Sequence, residues 1–135
     1  MPNADSGLVC LAMLLRFHGV IAEVAQLRHA IGHGEPPSVT DLLRQAKSFG
    51  VKARVIQTDQ TRWEGLPLPA LGVRSDRSCF VLGKVTPDKV LIQDPAVGRP
   101  TALTRKELAA SWDGTLVLIT KRASLSDLTR KFDIT

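Results

Sequence analysis

The hydrophobic period of this chain changes once, at Phe49-Gly50-Val51, and that change restricts its fold more than any other feature. Before it, apolar residues recur at three- and four-residue intervals. After it, they alternate or come in short bursts between turn residues. Helices first and consecutive strands afterwards specify an α+β domain, in which strands joined by short turns pair antiparallel without crossovers. A chain of 135 residues has room for one core. Its 44% apolar content is that of a folded domain and excludes a disordered one.

The first helix is expected from Asp5-Ser6-Gly7 to Gly19. Either Asp5 or Ser6 can cap it, and Leu8, Leu11, Leu15 and His18 share one face with Leu14 beside it. A second runs from Ile21 to Ile31 with Val24, Leu27, Ala30 and Ile31 at helical spacing, and stops at Gly32. A third is capped by Ser38 or Thr40, turns Leu42, Leu43 and Ala46 inward, and ends at Phe49-Gly50. From Val51, the residues Val51, Ala53 and Val55 alternate with Lys52 and Arg54, as in a half-buried strand. Trp63 to Pro69 reads as a loop, and residues 70–73 as a strand. A hairpin follows, from Cys79 to Val85 and from Lys89 to Gln93 around Thr86-Pro87-Asp88. Asp94 to Gly98 is a turn, Thr104 caps a short helix over residues 105–110, and residues 115–120 form the last strand. Residues 1–122 read as one domain; residues 123–135 are more polar and read as a linker or edge segment.

Charge narrows the function classes. Eighteen basic and 13 acidic residues leave a net charge of +5, but the basic ones are scattered. With few aromatics and no basic run, a nucleic-acid reader is not expected. Two cysteines do not make a disulfide framework and fit a reducing compartment. The apolar run at residues 8–15 is too short to span a bilayer and has no basic leader.

A helix start is where a thiol peptidase places its nucleophile, because the dipole lowers the thiol's pKa and free N–H groups can hold an oxyanion. The residue in that place is Ser6. Such a site also needs a histidine on a strand facing the helix start, and a carboxylate or amide to orient it. The strand beginning Ser78-Cys79 is where that histidine is expected, and Asp94 can supply the orienting group. Cys10 lies one turn into an apolar helix and reads as packing rather than a displaced nucleophile. Cys79 can pair with Cys10 or simply pack. His29 and His33 have the spacing of a helical metal pair, but the glycines around His33 end the helix, so a surface or capping role is favoured and no metal is expected. Trp63 and Trp112 are core-edge residues or groove anchors; the sequence leaves both readings open.

Asp5-Ser6-Gly7-Leu8-Val9-Cys10-Leu11-Ala12-Met13, Cys79-Phe80-Val81-Leu82, Asp94-Pro95-Ala96-Val97-Gly98 and Leu68-Pro69-Ala70 together resemble the double-glycine leader peptidases, cysteine peptidase family 39. The resemblance covers nearly the whole chain: it implies a peptidase-like domain over residues 1–122 and makes residues 123–135 a linker toward a transmembrane domain. It implies a papain-like fold, with N-terminal helices packed on an antiparallel sheet. The family's motifs place the nucleophilic cysteine at Ser6, the histidine at Cys79 and the aspartate at Asp94; the oxyanion glutamine would lie upstream of Met1. Two of the three catalytic positions are therefore changed. The resemblance implies a non-catalytic peptidase-like domain of a bacterial type I secretion ABC transporter, similar to that of the hemolysin exporters. Its place would be the cytoplasmic face of the inner membrane, and its partners an unfolded secretion substrate and the rest of the transporter. The +5 charge favours an acidic, repeat-rich client. No cofactor is implied. Phe17, Val73 and Phe80 flank the former catalytic motifs and are the expected substrate-binding wall. The alternatives are an active leader peptidase masked by an engineered Ser6, and a purely structural or docking module.

Overall fold

Leu8, Leu11, Leu14 and Leu15 recur at the spacing that puts them on one side of a helix, and none is more than 1% exposed. Burying each such side chain stabilises the fold by roughly 1.5–3 kcal/mol, which makes the helix they belong to the centre of the core. The computed structural model describes residues 5–32, 34–58 and 65–120. The expectations for His33, for Trp63 and for the linker at residues 123–135 lie outside them.

The leucine-rich helix is α1 (Ser6–Phe17), followed by α2 (Val24–Ile31) and α3 (Val39–Ser48). Gly19, Gly32 and Gly50 follow the three helices with φ of 82°, 82° and 85°, the left-handed conformation that stops a helix. The N-termini differ from expectation in one respect. Asp5 makes no side-chain capping bond to α1; its carboxylate instead pairs with Arg28 of α2. Ser6 is the first helical residue rather than the cap. At α3, Ser38 is the cap: its Oγ accepts from Asp41 N–H at 3.1 Å, and the Asp41 carboxylate accepts from Ser38 N–H at 3.0 Å. Ser38→Ala should cost about 1 kcal/mol, read as a lower urea midpoint with an unchanged slope.

The strands are β1 (Lys52–Gln57), β2 (Ala70–Val73), β3 (Cys79–Val85), β4 (Lys89–Gln93), β5 (Pro100–Thr104) and β6 (Thr115–Thr120), with a short helix α4 (Arg105–Ala109) before β6. They form one antiparallel sheet in the order β1-β6-β2-β3-β4-β5. Strand β5 was not expected from the sequence. It pairs with β4 at the sheet edge, and none of its residues is fully buried.

Both faces of the sheet are covered. Helices α1 and α3 pack on one, with α2 against both helices, and Leu71, Val73, Cys79, Val81, Val117 and Ile119 point toward them. On the other, Phe80, Leu82, Val90, Ile92, Leu116 and Leu118 meet Leu108 of α4 and Trp112. Two buried faces explain why β6 reads as the unbroken apolar run Leu116-Val117-Leu118-Ile119. Trp112 is core rather than a groove anchor: its ring meets Phe80 edge-on at 5.5 Å, and Nε1–H donates to Thr115 O at 2.9 Å.

Candidate functional site

The start of α1 faces the start of β3. Helix α1 begins at Ser6, and the antiparallel pairing of β2 with β3 sets Cys79 opposite Val73. The turn between those strands is closed by Arg74 N–H to Ser78 O at 2.9 Å. Within it Arg77 adopts a left-handed conformation with φ 68°, and the Asp76 carboxylate accepts from Ser78 N–H at 2.9 Å. So held, the Cys79 N–H donates to Ser6 Oγ at 3.0 Å. The junction is tight. A methyl group on Gly7 would stand 3.0 Å from Pro37 Cγ and 3.3 Å from Cys79 Sγ. Ser6 is 3% exposed and Cys79 is fully buried.

Chemically, this pair is weak. Burial pushes the Cys79 thiol up to about 12; Arg74 opposes that shift, while Asp76 and Asp94 add to it. Cys79 is therefore a neutral thiol at physiological pH, with no imidazole-like lone pair to accept a proton. Burial pushes Cys10 further up, helped by Cys79 and Asp94 and opposed by Arg74. Cys10 and Cys79 are both free thiols, not a disulfide. Asp94 sits just past β4, less than a fifth exposed. One carboxylate oxygen accepts from Ala96 N–H at 2.9 Å, and the other lies 3.2 Å from Arg74 Nη1.

Where a helix start meets a strand start in this way, with helices on one face of an antiparallel sheet, the fold is of the papain-like peptidase class. The chain belongs to the Peptidase C39 family, which it matches over residues 1–124. It is 37% identical over 132 residues to the cyclolysin secretion/processing ATP-binding protein of Bordetella pertussis, covering 96% of this chain and 18% of that protein. It is 29% identical over 134 residues to the alpha-hemolysin translocation ATP-binding protein of Escherichia coli O157:H7, covering 97% of this chain and 19% of that one. The chain thus spans less than a fifth of these relatives' length. A double glycine motif protease from an AMS/PCAT transporter, solved with the leader peptide, has the same fold: the TM-score is 0.81 at 20% identity, over 91% of this chain and 88% of that one.

The expected substrate wall does not hold together. Phe80 is fully buried on the sheet face turned away from α1, so it lines no groove on the α1 side. Strand parity carries that signal: Cys79 and Val81 point one way, so Phe80 and Leu82 must point the other. Val73 faces α1 but is only 7% exposed. Phe17 is exposed, yet it lies about 16 Å along α1 from Ser6 at 1.5 Å per residue. A shallow apolar groove of about 180 Å³ does open on the α1 side, lined by Met13, Val81, Gly83, Leu91 and Pro100. Met13 and Leu91 are both partly open to solvent there. Phe17 is four residues beyond Met13 and so stands beside it on the helix surface. Sequence reasoning passed over Met13 and Leu91. Leu91 alternates with the buried Val90 and Ile92, which assigns it to the opposite face.

Among the described residues, no helix is long and apolar enough to cross a membrane.

Proposed function

We propose that this chain is a non-catalytic peptidase-like domain of a type I secretion ABC transporter, standing at the cytoplasmic face of the bacterial inner membrane and holding an unfolded export substrate before translocation. The observation that carries the reading is the junction of Ser6 with Cys79. A serine hydroxyl needs a base to become a nucleophile, and the position that should supply one holds a buried, protonated thiol. The relatives' names, a cyclolysin secretion/processing protein and an alpha-hemolysin translocation protein, support the transporter setting.

The binding face is the groove between Met13 and Leu91, with Phe17 beside it. The elements that line it (α1, β3, β4 and β5) contain no acidic residue, while Arg16, Lys84 and Lys89 lie on them. An apolar segment with acidic flanks suits such a surface, and its affinity should fall with salt. Titrating the isotopically labelled chain with an unfolded acidic client segment should give saturable NMR shifts around the groove. Met13→Glu with Leu91→Glu should weaken binding by about tenfold or more. Shifts with nucleotide-binding domains but none with client would make the chain a docking module. Ser6→Cys incubated with a double-glycine leader peptide should give no cleavage; cleavage would show an active peptidase and end the non-catalytic reading.

A further inference from the structure

Asp94 is the one position of the family's catalytic set that this sequence retains, and the structure commits it elsewhere. Arg74 leaves the end of β2 on the same sheet face as Phe80, and its guanidinium carbon lies 4.7 Å from the centre of the Phe80 ring. From there Nη1 reaches Asp94 Oδ2 at 3.2 Å, with side-chain exposures of 16% and 18% for the two partners. The other oxygen, Oδ1, accepts from Ala96 N–H at 2.9 Å. Both carboxylate oxygens are therefore engaged, one by the turn that carries Asp94 and one by a permanent cation. A guanidinium keeps its charge at all accessible pH, stacks on an aromatic face and forms directional bonds to carboxylate. An imidazole at position 79 that reached for Asp94 would compete with Arg74 for it, and winning would leave a largely buried cation without its counter-charge.

We propose that Arg74 is a positioning residue that holds this site in its non-catalytic form by occupying Asp94, so that restoring the residues at positions 6 and 79 does not by itself restore a working dyad. The inference rests on the non-catalytic reading above. Loss of function here is then a rewired triad: the carboxylate that would orient a base instead ties the β2–β3 turn to the turn after β4.

The test places Ser6→Cys with Cys79→His in two backgrounds, with Arg74 kept and with Arg74→Met. NMR follows the titration of the introduced imidazole. Iodoacetamide, from which the thiolate displaces iodide, follows the introduced thiol. With Arg74 kept, the imidazole should titrate without help from Asp94. With Arg74→Met it gains the carboxylate, which stabilises the imidazolium and raises its midpoint by about one pH unit or more. Alkylation at pH 6 should then rise by about tenfold, because the imidazolium in turn favours thiolate. Arg74→Lys, which keeps the charge, should keep the low midpoint. Equal midpoints with Arg74 and with methionine would overturn the inference. Cleavage of leader peptide by Ser6→Cys alone would instead sink the non-catalytic reading, and the two midpoints would still decide the role of Arg74. Should the restored chain not fold, the otherwise native chain carries the test. Arg74→Met, Asp94→Asn and the double variant form a cycle, read by urea unfolding. A coupling of about fivefold or more in the unfolding constant is expected. Independent effects would overturn the inference.

Discussion

Gly72→Val should destabilise the chain by about 3 kcal/mol, at the upper end of overpacking effects. Gly72 lies in β2, opposite Phe80 on β3 and Leu116 on β6. The Phe80 ring folds directly over it: Phe80 Cε1 and Cε2 both stand 2.6 Å from where a Cβ would be, and Cζ is nearer still. A phenylalanine ring at a surface could swing away, but this one is fully buried, with Trp112 edge-on to it and the Arg74 guanidinium above it. Any shift of the ring disturbs the second core and the Arg74–Asp94 pair together. Gly72→Ala should show a smaller effect of the same sign. Gly34→Ala, where nothing stands within 4 Å, should stay within about 0.5 kcal/mol of the unmodified chain. Urea unfolding measures all three. Adding Phe80→Leu to Gly72→Ala should cost less than the two single changes summed, because the shorter side chain vacates the contact. Strict additivity would mean that the ring is not what excludes a side chain at position 72.

That contact also shows where sequence reading stops. The three helices were legible because each carries its own evidence: a leucine stripe in α1, a glycine stop after each helix, and Ser38 or Thr40 as a candidate cap at α3. The hairpin of β3 and β4 was legible for the same reason, as apolar runs around a proline turn. Strand β5 was not, because an edge strand needs few apolar residues, and this one begins with a proline whose missing N–H is tolerated at the edge. The cap at α1 was misassigned, because Asp5 has a stronger partner in Arg28 than the helix end offers. Arg28 lies 23 residues away in sequence, and no local pattern announces it. The same holds at the site. Ser6 and Cys79 were located as a pair by resemblance, but the partner of Asp94 is set by the register of three strands. Phe80 was the avoidable error, since period two alone separates it from Cys79.

Stability should fall steeply as pH rises from about 9, and removing the two thiols should flatten that fall. Cys10 and Cys79 are buried and reduced. Burial, the largest cause, raises Cys79 from 9.0 to about 12; Cys10 is raised further for the same reason. A raised pKa in the folded state fixes the sign. Below the unfolded value both states keep their protons, and the thiols add no pH dependence. Above it the unfolded chain releases protons that the folded chain retains, so stability is lost progressively from pH 9 toward 12. The limiting slope is about 1.4 kcal/mol per pH unit for each thiol. The chain has no tyrosine, so the lysines are the other side chains that commonly titrate in this range. Urea unfolding at pH 8, 9, 10 and 11 under reducing conditions should resolve the slope. Cys10→Ala with Cys79→Ala should start lower at pH 8, from lost packing, yet lose less between pH 9 and 11. An unchanged slope in that variant would mean that the thiols titrate alike in both states.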